Sequence, residues 1–356
     1  MKLSTLSSFR KGLNNDRIIH GLKTAIALLI GMLVVHLFNL PVQGRWVLIS
    51  ILIVMCAQSR VGAIMGKSYM RFLGTLIGAC IAALTLCLAY PSVIGVTLML
   101  CLTTALFSYV ADSPNYLSEA GPVGAITVVI ILTTPNPSYA TALTRFVEIS
   151  LGILIALLVS RFVWPFHSRT KLRCLLKNTL EDLKILFEQL RTWGSQEAEK
   201  IYETYADKIS SCFANQNKLY DEVRRESFDQ SNFAQVFKNI VRGEHEILRY
   251  MNLMREALIH FSGEGGISFN QQISVKKIYE ASQYLFESII DQFNANKNRY
   301  TVESLSDVLH WKDKMRKELE PLIHNAADKL AVDLFIFAAD QLLIRLKKMN
   351  FLVIKV

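Results

Sequence analysis

The sequence predicts an all-α membrane protein: six transmembrane helices in two three-helix repeats, followed by a cytoplasmic helical bundle. Three observations carry this expectation. Hydrophobic residues make up 51% of the 356 residues and charged residues only 19%, with a mean hydropathy of +0.29. Apolar stretches of membrane-spanning length fill the chain up to about residue 166, whereas the remainder alternates charged and apolar residues at helical spacing. Finally, Arg71-Phe72-Leu73-Gly74-Thr75-Leu76-Ile77-Gly78 is echoed 74 positions later by Arg145-Phe146-Val147-Glu148-Ile149-Ser150-Leu151-Gly152, the spacing of a repeated unit.

Residues 1–20 form an amino-terminal arm. Leu3, Leu6, Phe9 and Leu13 stand among basic residues there, so the arm is either an amphipathic helix on the membrane surface or a cytoplasmic tail. Residues 21–166 form the transmembrane domain, with spans at Gly21–Leu40, Trp46–Met65, Phe72–Ala89, Ser92–Val110, Gly121–Thr134 and Ala142–Val163. The first apolar stretch is too long for a cleavable signal peptide and is read as a retained helix. The fifth span is short for a hydrocarbon layer of about 30 Å, so it is tilted little, broken, or extended through Tyr116–Ala120.

Charge sets the orientation. Up to Pro165 the chain has 11 Lys and Arg against 4 Asp and Glu, and beyond it 28 against 26, so most of the net +9 belongs to the membrane half. A nucleic-acid-binding protein concentrates such an excess on a soluble surface, and nucleic acid is therefore not expected as a partner. Lys2, Arg10, Lys11 and Arg17, then Arg60 and Lys67, then Arg161, Arg169, Lys171 and Arg173 flank one side of the spans. By the positive-inside rule both termini are expected in the cytoplasm, and a bacterial-type inner membrane is the expected location.

Residues 167–356 read as the cytoplasmic α-helical domain. Leu172, Leu176, Leu183, Phe187 and Leu190 recur as one apolar stripe. Gly194-Ser195 gives a stop and an N-cap, and helical patterns follow over 196–226, 232–261, 272–294, 302–317 and 321–348. Gly263-Glu264-Gly265-Gly266 lacks the Gly-Lys-Ser/Thr sequence of a phosphate loop and is read as a turn. The six cysteines and seven histidines show no ligand spacing, so the cysteines are read as small apolar fillers and no metal or cofactor is expected. No catalytic constellation is present, and an enzyme is not expected.

The chemistry concentrates in a few intramembrane positions. Arg71 and Arg145, read at helix mouths, are either carboxylate-binding pore residues, with Thr75 beside the first, or interfacial anchors snorkelling to phosphates. Glu148 follows Arg145 by three residues, so it is either its structural ion-pair partner or a proton-coupling carboxylate. His36 is a second candidate for proton coupling. Gly62 with Gly66 and Gly74 with Gly78 are small-x-x-x-small pairs for close helix packing, to which Gly152 is added.

The Arg71–Gly78 element, with Trp46 opening the preceding span, Arg145-Phe146-Val147-Glu148 followed by Gly152, and terminal Trp164-Pro165, resembles the fusaric acid resistance (FUSC) family. That superfamily includes aromatic acid exporters and, more distantly, plant aluminium-activated malate transporters. The resemblance implies transport of small organic anions, aromatic carboxylates in the exporter branch, through a dimer of six-span units in the lipid bilayer. Longer exporters of the family carry a second hydrophobic block, whereas Phe351-Leu352-Val353-Ile354 is too short to span; a homodimer would supply the second set. Proton-coupled efflux is the expectation, since no nucleotide-binding motif is present. The alternatives are a passive organic-anion channel and a membrane-anchored scaffold or lipid-handling protein.

Overall fold

A computed structural model describes residues 15–38, 44–56, 60–113, 116–135, 137–226, 231–261, 267–294 and 308–353. Among them every regular element is helical. Residues 1–14 and the Gly263–Gly266 sequence read as a turn lie outside the described residues. The chain divides into two compact units, Met1–Ser168 and Arg169–Val356.

The first unit contains α1 (Asn15–Leu37), α2 (Arg45–Cys56), α3 (Val61–Ala89), α4 (Val93–Ala111), α5 (Ala120–Leu132) and α6 (Tyr139–Phe162). Helices α1, α3, α4 and α6 are long and apolar enough to cross a membrane, while α2 and the Leu117–Leu132 segment are shorter apolar helices. Ser92 and Ser138 start α4 and α6 by accepting hydrogen bonds from the Gly95 and Thr141 amides, both at 3.2 Å. A short 3-10 helix, Tyr116–Glu119, leads into α5.

The boundary between the second and third spans differs from expectation. Helix α2 ends at Cys56, and Val61–Met65 belongs to α3, as do Gly62, Gly66 and Lys67. The polar Gln58-Ser59-Arg60 sequence interrupts an otherwise apolar run, a break that a hydropathy average smooths over. At 29 residues, α3 is about 43 Å long at ~1.5 Å per residue. Arg71 is therefore ten residues inside a helix and not at its mouth.

Close packing is set by glycines. A Cβ on Gly74 would lie 2.5 Å from the Ala120 carbonyl oxygen, one on Gly78 2.7 Å from that of Gly124, and one on Gly152 2.5 Å from that of Val47. Thus α3 seats on α5, and α6 on α2, through backbone contact, as expected where lipid offers no hydrophobic drive for association. Helix α1 packs on α2 and α6, while α4 packs on α5 and α3. At the centre α3 and α6 run antiparallel. The Phe72 and Phe146 rings lie 5.4 Å apart, and the Val61 amide donates to the Phe166 carbonyl at 3.0 Å. Cys56, Cys80, Cys87 and Cys101 lie on exposed faces and do not fill the core as read from sequence; a thiol is apolar enough for such a face.

The second unit is built from α7 (Ser168–Arg191), α8 (Gln196–Glu226), α9 (Ser231–His260), the short α10 (Ile267–Asn270), α11 (Ile273–Phe293), α12 (Val308–Leu319) and α13 (Ala326–Val353). The predicted Leu172, Leu176, Leu183, Phe187 and Leu190 stripe is buried in its core, each side chain contributing roughly 1.5–3 kcal/mol of transfer free energy. Gly194 has φ 108°, which glycine adopts without strain. Ser195 then accepts from the Ala198 amide at 3.2 Å. Pro321 lies in a 3-10 turn, Glu320–Leu322, and not in the first turn of α13.

Several polar side chains are sealed in the second unit, Glu244 among them. Glu244 on α9 is fully buried and accepts from Gln216 Nε2 on α8, which also donates to Thr179 Oγ1 on α7 at 3.0 Å. Burial pushes its carboxyl well above the usual range, against the opposing pull of the Gln216 hydrogen bond.

Candidate functional site

Three buried polar residues of the first unit, Ser50, Arg71 and Glu148, lie on α2, α3 and α6. Arg71 is 7% exposed and donates from Nη2 to Ser50 Oγ on α2 at 3.4 Å. It pairs with no carboxylate among the described residues, and its Nε is buried without a hydrogen-bond partner. The Ser50 Cβ is also the atom that a side chain at Gly152 would meet at 2.7 Å. Arg71, Ser50 and Gly152 therefore share one junction, because only a glycine on α6 lets α2 come near enough to carry its serine to the guanidinium.

One turn earlier on α6 stands Glu148. Its Oε2 accepts from Arg145 Nη1 at 3.3 Å, with the carboxylate 3% and the arginine 16% exposed. The other oxygen, Oε1, is buried without a partner. The Arg145 guanidinium lies over the Trp46 ring of α2, 5.0 Å from its centroid. The i,i+3 ion pair expected from spacing is thus formed, and an indole holds its cation from the other side.

The remaining expected residues separate from this junction. Thr75 is buried, but its hydroxyl donates to the Arg71 carbonyl at 2.8 Å, a bond within its own helix. His36 is exposed in the last turn of α1 and is not brought to Glu148. Gly62 and Gly66 are buried on α3, whereas Gly74 and Gly78 face α5. Among the described residues no cluster of three or more His, Cys, Asp or Glu side chains is placed to hold a metal ion.

Two residues escaped the sequence reading. Ser50 has no signal of its own, since serine is common in membrane helices. Lys23 had one: an ionisable residue inside an apolar stretch. It is fully buried, and its Nζ donates to the Ser160 carbonyl at 2.9 Å with the Phe166 ring 6.0 Å away. A cation here satisfies one of the last carbonyls of α6, where the helix dipole is negative.

The profile of the fusaric acid resistance protein family matches residues 17–334. The chain belongs to that family. The match takes in most of both units, including every residue of the junction. Among curated proteins, the inner membrane protein YeeA of Escherichia coli (strain K12) is 24% identical over 244 residues, which is 68% of this chain and 66% of that protein. Together with the apolar helices, these similarities make this a membrane protein of the fusaric acid resistance family.

Proposed function

We propose that the protein exports small organic anions, aromatic carboxylates foremost, across the inner membrane, and that protons drive the movement. The observation that carries this reading is Arg71: a guanidinium buried among membrane helices with no carboxylate partner among the described residues. Desolvating a cation costs several kcal/mol, and such residues in membrane helices mark pathways for ions or substrates. Arg71 retains N–H donors in the planar arrangement that matches a carboxylate. Arg145, already held by Glu148 and Trp46, would attract the anion from the other side of the junction.

In this reading the first unit spans the membrane six times as two inverted halves, α1–α3 and α4–α6, with α2 and α5 as short spans. The packing supports it. Exchanging the halves turns the α3–α5 contact into α6–α2, the α1–α2 contact into α4–α5, and the α1–α6 contact into α4–α3. Phe72 and Phe146, equivalent across the repeat, touch each other, as residues beside a two-fold axis must. The second unit would lie in the cytoplasm, and two copies of the chain would pair. Glu148, with one oxygen unpartnered, is the coupling carboxylate: protonation removes the charge that holds Arg145 and frees that cation for substrate.

Flux of benzoate-type and aliphatic carboxylates in proteoliposomes, with and without an imposed pH gradient, tests this for wild type, Arg71→Gln, Arg145→Ala and Glu148→Gln. Gradient-driven export that Glu148→Gln abolishes while leaving passive exchange is the expected result. Flux that ignores the pH gradient would make the protein a passive channel. No flux of any anion, with Arg71→Gln harmless to function in cells, would move the reading to a membrane-anchored scaffold.

A further inference from the structure

The second unit carries a basic cleft that transport does not use. It is a cavity of ≈ 160 Å³ between the middle of α9 and the end of α13. Arg242 and Glu246 project from α9, and Arg345 and Lys348 from α13. Glu246 accepts from Arg242 Nε through Oε1 at 3.2 Å and from Arg345 Nη1 through Oε2 at 3.0 Å. Both carboxylate oxygens are therefore engaged. A guanidinium has five N–H donors, so each arginine keeps donors that Glu246 does not take. Lys348 is exposed and has no carboxylate partner among the described residues. Three cations against one carboxylate leave the cleft with two positive charges in excess.

The floor of the cleft is chemically distinct from its rim. Gly243 sits in the middle of a 30-residue helix, where glycine costs roughly 0.5–1 kcal/mol relative to alanine. A Cβ there would come within 2.6 Å of the Met349 terminal methyl. The missing side chain deepens the cleft, and Met349 and Leu352 give it an apolar wall. At the rim, Asn239 accepts from Gln235 Nε2 at 3.3 Å through Oδ1, which leaves its amide hydrogens to donate.

We propose that this cleft binds an organic phosphomonoester, its phosphate on Arg242, Arg345 and Lys348 and its organic portion over Gly243 and Met349. A phosphomonoester carries close to two negative charges at neutral pH, which matches the excess. A single carboxylate would leave half of that excess unneutralised. Arginine favours phosphate through paired N–H bonds, and the partly desolvated Arg345, 29% exposed, strengthens them. The phosphate could come from a soluble metabolite or from a lipid headgroup; the chemistry of recognition is shared, and the site makes the second unit a sensor whatever the first unit transports.

The test is calorimetric titration of the full chain in phosphatidylcholine nanodiscs with phenyl phosphate and with inorganic phosphate, against potassium chloride at matched ionic strength. In parallel, hydrogen exchange over 239–246 and 345–352 is compared in nanodiscs with and without phosphatidic acid. Saturable binding of phenyl phosphate, tighter than inorganic phosphate, supports a soluble ligand; protection by phosphatidic acid alone supports the lipid source. Lys348→Gln, whose side chain holds no ion pair, should weaken either signal roughly tenfold, the size of one charge-assisted contact. Gly243→Ala should weaken phenyl phosphate more than inorganic phosphate, because it fills the floor and spares the cations. Heats indistinguishable from chloride together with no protection by phosphatidic acid, or a Lys348→Gln and Arg242→Gln double variant that binds within twofold of wild type, would overturn the proposal.

Discussion

Gly152→Ala places one methyl group where the structure has no room for it. The new Cβ would meet the Val47 carbonyl oxygen at 2.5 Å and Ser50 Cβ at 2.7 Å. The first is backbone, and the second is attached directly to it, so no flexible end can swing aside. Restoring an ordinary contact requires α2 and α6 to separate by nearly 1 Å, and overpacking of this kind costs about 1–3 kcal/mol. Gly21→Ala is the matched control, since nothing lies within 4 Å of its Cβ; helix propensity alone makes it neutral or up to ~1 kcal/mol stabilising. Equilibrium unfolding in mixed detergent micelles, followed by tryptophan fluorescence, measures both, with Trp46 on α2 a reporter at the affected seam. The separation also draws Ser50 away from Arg71, so organic-anion flux should fall along with stability. Equal stability of the two alanine variants would refute the argument that glycine at 152 sets the α2–α6 distance.

Glu244 supplies a pH dependence with a definite sign. Its folded-state pKa is raised, so the folded chain keeps a proton that the unfolded chain releases above about pH 4.3. Its contribution to stability is therefore full below that value and is lost as pH rises toward the folded pKa, by at most ~1.4 kcal/mol per pH unit. Glu244→Gln, neutral at every pH, should flatten the dependence of the unfolding midpoint between about pH 5 and pH 8 relative to wild type; parallel profiles would contradict a protonated Glu244. Ser195→Ala removes the cap of α8 and should cost about 1 kcal/mol in thermal or chemical unfolding, with faster hydrogen exchange confined to the first turn. Lys208→Ala strips the 2.6 Å ion pair from Asp182, which is only 10% exposed. Because the lysine itself is 55% exposed, solvent screening holds the loss to about 1 kcal/mol, measurable in the same unfolding experiment and shrinking in high salt.

The second unit was more legible than the first because its helices separate polar from apolar residues around the axis. The stripe from Leu172 to Leu190 faces its core, and α8 begins one residue after Ser195 and ends at Glu226 as the pattern indicates. In the membrane unit apolar residues cover every face, and periodicity loses its meaning. That is why the α2–α3 break was misplaced by several residues, and why Arg71 was taken for an end of a span when it lies on the buried face of a long one. Glycines kept their signal, since Gly74, Gly78 and Gly152 each mark a backbone approach. Ser50 carried none, and Lys23 carried only that of an ionisable residue in an apolar stretch, because the partners of both depend on which helix lies opposite, information carried by tertiary packing alone.

The junction of α2, α3 and α6 leaves charged groups under-satisfied. In the same unit the buried Thr75, Thr85, Thr103 and Thr127 hydroxyls each donate to the carbonyl four residues earlier, while the Ser68, Ser113, Ser150 and Ser160 hydroxyls, which are neutral, are buried without a partner. At the junction the orphaned atoms belong to ionisable side chains: Arg71 Nε and Glu148 Oε1 are buried without partners, and Arg71 reaches Ser50 only at a long 3.4 Å. A purely structural charge in a membrane helix should be more completely paired, because each orphaned polar group costs roughly 1–3 kcal/mol and there is no bulk water to relieve it. The same geometry that leaves these atoms unpaired also prevents collapse onto them: the glycine contacts at 74, 78 and 152 hold the backbones in place. On the proposed export of organic anions, a substrate carboxylate would accept from the Arg71 guanidinium and offset the cost of its unsatisfied donor, while Glu148 Oε1, an acceptor, would be satisfied by a proton instead.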